Sequence, residues 1–353
     1  MRQATISGWG KCVPPAVLSN ADLESVMDTS DEWITTRSGI KERRISHVEC
    51  SEMATVAGSR AIAAAGLEPT DIDLILMATC TPDRLIPAAA AMVQRRLGAE
   101  GAACMDINAA CTGFVYGLAT ASSMISAGLI DRALVIGADK LSAFLNFAVR
   151  DTAVLFGDGA GAVVLEATDR DEGVLATTLG TDGSLTESLT VTGTGSESVP
   201  PPVDGKTIHM EGREVFRHAV VRMGETAAEA IEKAGLTVDD VDILVPHQAN
   251  IRIIDNTARR LDLPQEKVFT NIASYGNTSA ASIPIALTEA LEEGRVRPGA
   301  NVVFVAFGGG LTWGAAVVRW GERVVPLAES AAALPPTDKT GLELLAARPG
   351  RGA

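Results

Sequence analysis

The amino-acid sequence predicts an α/β protein built from two similar halves. The main observation is an internal repeat: residues 60–76 read RAIAAAGLEPTDIDLIL and residues 229–245 read EAIEKAGLTVDDVDILV, with seven of the 17 aligned positions identical. Each copy has the pattern of a helix end, a glycine stop, a short loop and a buried apolar strand. We therefore expect one half at residues 1–170 and another at 171–320, each with alternating strands and helices.

Other segments of the two halves also repeat in the same order. An apolar helical stretch runs from Cys111 to Gly128, and another runs from Asn277 to Gly294 with the same spacing. A β-rich run follows each stretch (ALVIGA and NVVFVAF), and a third pair reads GAVV and GAAVV. This pseudo-symmetry predicts that the helix starts at Cys111 and Asn277 face each other across the interface between the halves.

The last segment, residues 321–353, differs in character from both halves. It contains an alanine-rich stretch, a Pro-Pro pair and Pro-Gly-Arg-Gly, without sustained periodicity. The sequence therefore predicts an appendage of low order.

Composition and charge exclude several classes of function. The chain has 353 residues, 46% of them apolar, and a net charge of −14, which argues against nucleic-acid binding. No apolar run is long enough to predict a membrane span, and residues 1–10 lack the features of a signal peptide. The five cysteines have no metal-ligand spacing, and their odd number predicts reduced thiols in the cytoplasm.

Cys111 is the first candidate for chemistry. It lies in DINAACTGF, between a strand-like stretch and a helical one. A cysteine at a helix N-terminus meets the positive end of the helix dipole, which favours the thiolate. The alternative is a small buried apolar residue, but the polar break at Asn108 favours a turn over core packing.

His247 and Asn277 are two further candidates. His247 follows the strand of the second repeat, where ligands bind in α/β sheets, and the first repeat has Ala78 at the matching place. Asn277 occupies the repeat position that matches Cys111. A structural histidine and a routine N-cap asparagine are the alternatives. The repeat nevertheless predicts that all three residues converge on one site.

Phe307 and the three glycines after it form a fourth candidate element, FGGG, at the end of a strand. A backbone N–H in this segment could point at a developing oxyanion, because glycine permits close approach. A simple tight turn is the alternative. No Gly-Lys-Ser/Thr follows, so the segment is not a phosphate-binding loop.

Five motifs together carry a family resemblance. AACTGF, PHQAN, YGNTSAAS, FGGGLTWG and the early TSDEWITTRSGI closely resemble those of bacterial β-ketoacyl-acyl carrier protein synthase III, across about residues 1–320. The resemblance implies the thiolase fold, a duplicated five-layered α/β/α/β/α structure. It also implies a homodimer that needs no metal or redox cofactor.

The resemblance implies a reaction in two steps. Cys111 takes the acyl group of an acyl-CoA primer, with the N–H groups of Cys111 and Gly309 as the oxyanion hole. Malonyl-acyl carrier protein then loses carbon dioxide, and His247 and Asn277 hydrogen-bond the thioester oxygen where negative charge develops. The carbanion attacks the acyl-Cys111 thioester and yields a 3-oxoacyl-carrier protein.

Substrate contacts are implied in the same way. Trp33 and Arg37 are one helical turn apart, so a ring and a guanidinium can be presented together. The family positions for CoA are Trp33, Arg37, Arg150, Gly212, Arg213 and Asn250, although Arg213 stands where an asparagine is familiar. Those for docking of the acidic carrier protein are Arg217, Arg252, Arg259 and Arg260. The last three share a helix face, which would otherwise be read as a solvated surface.

The primer pocket and the pathway are less determined by sequence. Ile86 stands where phenylalanine is common and, with Phe307, is expected to line the primer pocket, Ile86 reaching that of the partner subunit. A related enzyme of polyketide or other secondary metabolism, with an unusual primer or acceptor, is the nearest alternative. A degradative thiolase would need a second cysteine in the C-terminal half, and all five cysteines lie at or before Cys111. A non-condensing acyltransferase or a silent partner subunit is disfavoured because Cys111, His247 and Asn277 are all present.

Overall fold

The computed structural model describes residues 2–193, 196 and 206–347 of the chain. The strands are β1 (Gln3–Cys12), β2 (Ala16–Ser19), β3 (Glu42–Ile45), β4 (Leu74–Ala78), β5 (Ala103–Ile107), β6 (Arg132–Lys140), β7 (Asp158–Thr168), β8 (Gly173–Thr181), β9 (Leu189–Val191), β10 (Ile208–Met210), β11 (Ile243–Pro246), β12 (Asn301–Gly308) and β13 (Thr312–Arg319). The helices are α1 (Asn20–Glu24), α2 (Asp31–Ser38), α3 (Cys50–Ala65), α4 (Ala89–Leu97), α5 (Gly113–Ser126), α6 (Arg150–Ala153), α7 (Gly212–Lys233), α8 (Ile251–Arg260), α9 (Ile272–Tyr275), α10 (Ser282–Glu292) and α11 (Gly341–Ala346).

Two mixed sheets form the framework. The first has the order β1-β7-β6-β4-β5, with β4 parallel to both β5 and β6 and the other neighbours antiparallel. The second has the order β11-β12-β13-β8, with β11 parallel to β12 and the remaining pairs antiparallel. Beside β11, at the place that corresponds to β5, the described residues of the second sheet form only an isolated parallel bridge, between Leu244 and Val268.

The register of these sheets repeats with the sequence. Leu74 pairs with Ala133 in the first sheet, and Ile243 pairs with Val302 in the second, with the same number of residues between partners. Four residues further along the central strands, Gly137 pairs with Gly161 and Ala306 pairs with Gly314. The repeated segments therefore occupy equivalent places in the two sheets.

The helices complete five layers, α/β/α/β/α. Helices α3 and α4 cover one face of the first sheet, and α7 and α8 cover the far face of the second. Helices α5 and α10 lie between the sheets and fill the central core, where Phe114 meets Phe304 edge to face at 6.3 Å. In the described part of the chain, none of the helices has the length and apolarity needed to cross a membrane.

The glycine of the 60–76 and 229–245 repeat ends a helix in both copies. Gly66 follows α3 with φ of 71°, and Gly235 lies just beyond α7 with φ of 72°. This left-handed conformation is strained for residues with a Cβ, so glycine stops each helix before the buried strand.

One predicted correspondence is wrong. Ala110 and Ser279, with φ of 47° and 53°, each open a short 3₁₀ turn that leads into α5 or α10. These turns align Cys111 with Ala280, whereas Asn277 lies two residues before its turn. The equal spacing to the closing glycines arises because α10 starts later than α5 and is shorter.

The C-terminal segment, predicted to be of low order, has no helix or strand over residues 321–340 but makes defined contacts with the first half over residues 321–347. The Arg323 guanidinium donates hydrogen bonds to the carbonyls of Ser7 and Ala65, and Leu345 of α11 is buried against the β2–β3 ribbon. The segment carries apolar side chains at irregular intervals, so its contacts with the first half are invisible to a periodicity argument. Residues 348–353 lie outside the described part of the chain.

Candidate active site

One narrow cavity of about 90 Å³ lies where strands of the two sheets end. Its lining includes Cys111, His247 and Asn277. The three residues come from segments far apart in sequence and are all buried. The rest of the lining is largely apolar and includes Leu155, Phe156, Leu189, Met210, Phe216 and Phe307. The predicted convergence of these three side chains is therefore seen in the structure.

Cys111 lies in the 3₁₀ turn Ala110–Thr112, at the entrance to α5. Burial raises the pKa of its thiol to about 12, partly offset by the nearby Ser279 hydroxyl and reinforced by the nearby Asp139 carboxyl. The sequence predicted a position that favours the thiolate. In the fold, loss of hydration outweighs that effect, so the thiol is protonated at neutral pH.

The glycine-rich turn between β12 and β13 packs on the Cys111 turn. Gly308 lies directly against the Cys111 backbone, and Gly309 lies against Leu189 and, slightly further away, Ala110. The Thr312 hydroxyl lies 3.0 Å from the Thr112 hydroxyl and donates to the Ala109 carbonyl at 3.0 Å. These contacts hold the backbone of both turns in one arrangement beside the thiol.

His247 follows β11, and its backbone nitrogen donates to the Val305 carbonyl at 2.8 Å. Its imidazole is 1% exposed, and burial lowers its pKa to about 3. The ring is therefore neutral at physiological pH. Its Nδ1 atom lies 2.6 Å from the Ser282 hydroxyl oxygen.

Asn277 is held by its backbone against the segment that precedes β7. Its N–H donates to the Leu155 carbonyl at 2.8 Å, and its own carbonyl accepts from the Gly157 N–H at 3.0 Å. The side-chain Oδ1 accepts from the Ser279 N–H at 2.9 Å. Because this oxygen is engaged, the side-chain amide NH₂ is the end left to donate to another group.

A second, outer pocket leads from the surface to this cavity. Its surface end is lined by Trp33, Arg37, Arg213 and Arg252. The two pockets share the lining residues Leu155, Met210, Gly212, Phe216 and Asn250. An elongated molecule with an anionic end can therefore extend from the arginines at the surface to the Cys111 thiol.

Trp33 contacts two guanidinium groups at the outer end. Arg37 lies 4.7 Å and Arg150 lies 4.3 Å from the centre of the Trp33 ring. Arg150 also donates to the Asp28 carbonyl at 2.9 Å. Asn250 caps α8 and donates to the Arg37 carbonyl at 3.0 Å, which joins α2 to α8. Trp33 and Arg37 therefore lie together, as their spacing of one helical turn predicted.

Comparison with known proteins gives a consistent answer. The family described as 3-oxoacyl-[acyl-carrier-protein (ACP)] synthase III matches residues 105–183, and its C-terminal counterpart matches residues 231–320. The β-ketoacyl-[acyl-carrier-protein] synthase III 2 of Vibrio vulnificus (strain YJ016) is 52% identical over 344 residues, which are 97% of this chain and 95% of that protein. The chain belongs to the β-ketoacyl-[acyl-carrier-protein] synthase III family.

Solved structures agree with this assignment. The synthase III of Aquifex aeolicus VF5 is 48% identical, with a TM-score of 0.85 over 90% of this chain and 100% of that one. The priming β-ketosynthase of the R1128 polyketide pathway is 35% identical, with a TM-score of 0.86 over 91% of this chain and 97% of that one. This synthase III thus has the duplicated thiolase fold and is an acyl-transferring condensing enzyme of fatty-acid synthesis.

The four arginines expected to dock a carrier protein lie on α7 and α8 of the synthase, and all are exposed: Arg217, Arg252, Arg259 and Arg260. Arg252 stacks on the Phe216 ring at 5.1 Å, beside the outer pocket. The aliphatic part of Arg260 packs over Gly224 of α7. Four exposed arginines therefore lie on two packed helices near the pocket entrance, and Arg217 forms an ion pair with Glu214.

The two residues expected in the primer pocket differ in position. Phe307 is buried and lines the cavity. Ile86 is 87% exposed, and it is absent from the residues that line the cavity. Within this chain, Ile86 is therefore not part of the Cys111 site.

Sequence reasoning missed the buried polar residues around the site. Asp139, at the end of β6, accepts hydrogen bonds from the Cys80 N–H at 2.9 Å and the Ala280 N–H at 3.2 Å. It thus connects the first half of the synthase to the turn that follows Asn277, and burial raises its pKa. Ser282 was missed as well. The only signal was a polar residue within an otherwise apolar stretch, which is weak evidence for a site.

Proposed function

We propose that Cys111 carries the acyl group of an acyl-CoA primer, which is then condensed with malonyl-acyl carrier protein. The observation that carries this proposal is the shared cavity of Cys111, His247 and Asn277 at the end of a path from the surface. A thiol, an uncharged imidazole and a primary amide supply one nucleophile and two hydrogen-bond donors.

In the first step the Cys111 sulfur attacks the thioester carbonyl of the primer. A new carbon–sulfur bond forms, the bond to CoA sulfur breaks, and the Cys111 proton leaves with CoA as its thiol. The backbone N–H groups of Cys111 and Gly309 would stabilise the oxyanion. The close packing of the glycine-rich turn on Cys111 supports this assignment.

In the second step malonyl-carrier protein loses carbon dioxide, and the electron pair passes to the thioester as an enolate. His247 and Asn277 would donate hydrogen bonds to that thioester oxygen. The enolate carbon attacks the acyl-Cys111 carbonyl, and the departing Cys111 thiolate takes up one proton. The low pKa of His247 supports a role as a neutral donor, since an imidazolium would be costly at this depth.

Intact mass spectrometry tests the two steps separately. Wild-type protein should gain the acyl mass from acyl-CoA and lose it when malonyl-carrier protein is added. Cys111→Ala should gain none, whereas Cys104→Ala, which removes a thiol at another site, should behave like wild type. His247→Ala and Asn277→Ala should be acylated but should not discharge. Equal loss of both steps in these two variants would contradict the proposed division of roles.

CoA is proposed to occupy the outer pocket. The Arg150 guanidinium, now 4.3 Å from the centre of the Trp33 ring, would move away so that the adenine ring stacks between the two side chains, and Arg37 would remain beside the Trp33 ring. Arg213 would add positive charge near the phosphates, and the pantetheine arm would pass Gly212 and Asn250 towards Cys111.

A homodimer is proposed from an exposed apolar area next to a free sheet edge. β5 is the last strand of the first sheet, and Met105 on it is 42% exposed. Leu85 and Ile86 are 75% and 87% exposed. Such an area is costly to leave in water, so a second subunit would cover it and would bring Ile86 to the partner's primer pocket.

Primer choice follows from the dimer. A branched aliphatic Ile86 at a position that often holds a ring would enlarge the pocket floor, so primers longer than acetyl should react. Acylation rates with acetyl-, isobutyryl- and longer acyl-CoAs would test this, and a strict preference for acetyl-CoA would refute it.

Priming of a polyketide is a second candidate, favoured by the similarity to the R1128 priming ketosynthase. Acyl carrier proteins of the two pathways, compared as malonyl donors, would distinguish the candidates.

All five cysteines are unpaired in the structure, and we propose that the enzyme works in the reducing cytoplasm.

A further inference from the structure

His247 depends on its tautomer for the role proposed above. A neutral imidazole has one N–H donor and one bare acceptor nitrogen. Only the tautomer that carries its proton on Nε2 can donate towards a group in the cavity when Nδ1 is engaged elsewhere. Whatever holds Nδ1 therefore decides whether the ring can stabilise an enolate oxygen.

Ser282 is the residue that meets Nδ1. It is the first residue of α10, it is 2% exposed, and its hydroxyl oxygen lies 2.6 Å from Nδ1. The Gln248 backbone N–H donates to the same oxygen at 3.4 Å. Among the described residues, the hydroxyl makes no hydrogen bond to a carbonyl or carboxylate oxygen, so its single proton has Nδ1 as its acceptor.

We infer that Ser282 is a positioning residue that donates its hydroxyl proton to Nδ1 of His247 and thereby keeps the ring proton on Nε2. Gln248 supports this arrangement. Its side-chain amide donates to the Pro246 carbonyl at 2.7 Å, and its Oε1 accepts from the Asn271 N–H at 3.1 Å. The backbone N–H that points at Ser282 is thereby held in place. The inference rests on the proposed role of His247 in condensation.

The tautomer can be observed directly by NMR of protein with ¹⁵N-labelled histidine. The chain has four histidines, and the His247 signals are identified by their absence in His247→Ala. Wild-type protein should show His247 protonated on Nε2. In Ser282→Ala the Nδ1 signal should shift, and the Nδ1–H tautomer should become populated. Ser282→Thr, which keeps a hydroxyl on the same Cβ, should retain the Nε2–H tautomer.

Kinetics provide the second measurement. In Ser282→Ala, discharge of acyl-Cys111 by malonyl-carrier protein should slow about 10-fold or more, because one hydrogen bond to the ring is lost, while acylation by acyl-CoA stays unchanged. Thr288→Val is the matched control: it removes another buried hydroxyl from α10, one whose partner among the described residues is the Pro284 carbonyl. It should leave both steps and the His247 signals unaltered.

Two results would overturn the inference. One is an unchanged His247 tautomer in Ser282→Ala; the other is an equal loss of acylation and condensation. If Ser282→Ala does not fold, Ser282→Thr provides the test. A folded Ser282→Thr variant whose His247 carries its proton on Nδ1 would refute the inference. If the proposed function is wrong and this inference right, the tautomer shifts in Ser282→Ala but His247→Ala condenses normally.

Discussion

The backbone nitrogen of Cys111 lies so close to Gly308 that a Cβ atom on residue 308 would stand 2.7 Å from it. The same atom would be 3.1 Å from the Cys111 Cβ. Both neighbours are atoms of Cys111 itself, so neither can move without displacing the thiol. A residue larger than glycine at position 308 would therefore displace Cys111.

Gly308→Ala should lower the rate of Cys111 acylation about 100-fold, since small displacements of reacting groups are that costly. Acyl transfer followed by mass spectrometry measures the rate. Gly183→Ala is the control, because a Cβ there meets no atom within 4 Å. A Gly308→Ala enzyme that is acylated at the wild-type rate would show that the turn can relax.

The reactivity of Cys111 should rise steeply with pH. Its pKa is raised to about 12 by burial, so the thiolate fraction increases about 10-fold for each pH unit below that value. Alkylation by iodoacetamide between pH 7 and 9.5, followed as mass gain relative to Cys111→Ala, should therefore show no plateau. A plateau near pH 8 would mean that the thiol ionises far more easily than its burial implies.

Arg150→Ala should raise the KM for acyl-CoA about 10-fold, because a buried stacking contact of a guanidinium with a ring contributes about 1–2 kcal/mol. The same variant should use an acyl-N-acetylcysteamine thioester, which lacks the nucleotide, as well as wild type does. Arg295→Ala removes an arginine that lies over Phe269 at 5.9 Å, away from the pocket, and serves as the control. An equal effect on both thioesters would place Arg150 outside the nucleotide site.

Charge reversal on α7 and α8 should weaken the carrier protein selectively. In Arg217→Glu combined with Arg259→Glu, the KM for malonyl-carrier protein should rise several-fold and the KM for acyl-CoA should not change. The defect should diminish at high salt, which screens exposed charges. Arg297→Glu is the control and should have no effect. Arg297 is exposed and lies near the start of β12, whereas the Cys111 site lies at the end of that strand. A similar defect in both proteins would argue against a defined docking surface.

The C-terminal segment should stabilise the CoA end of the enzyme. Leu345 packs in one cluster with Leu18, Leu23 and Ile34, and Ile34 adjoins Trp33 on α2. Leu345→Asp should cost about 2 kcal/mol of stability, lower the Tm and raise the KM for acyl-CoA. Val325→Asp, at a position that is 66% exposed in the same segment, is the control. An unchanged Tm in Leu345→Asp would mean that the segment is not held there.

Much of the fold followed from local patterns. The repeated helix, glycine and strand predicted α3 with β4 and α7 with β11, because each copy contains its own stop signal and its own apolar run. His247 was found for the same reason, since it follows the buried strand β11, and Cys111 was found because a polar turn separates its strand from its helix. The expected partner of Cys111 in the repeat was wrong, because the lengths of 3₁₀ turns and helices are set by packing between the sheets.

The sequence by itself determined the duplicated architecture, the residues proposed to carry the chemistry, and the family. Only the tertiary structure decided that Cys111 is protonated at rest, that Ser282 meets His247, and that residues 321–347 pack on the first half. These properties depend on how deeply a group is buried and on which distant residue touches it. Both are consequences of the assembled core, and no local pattern records them.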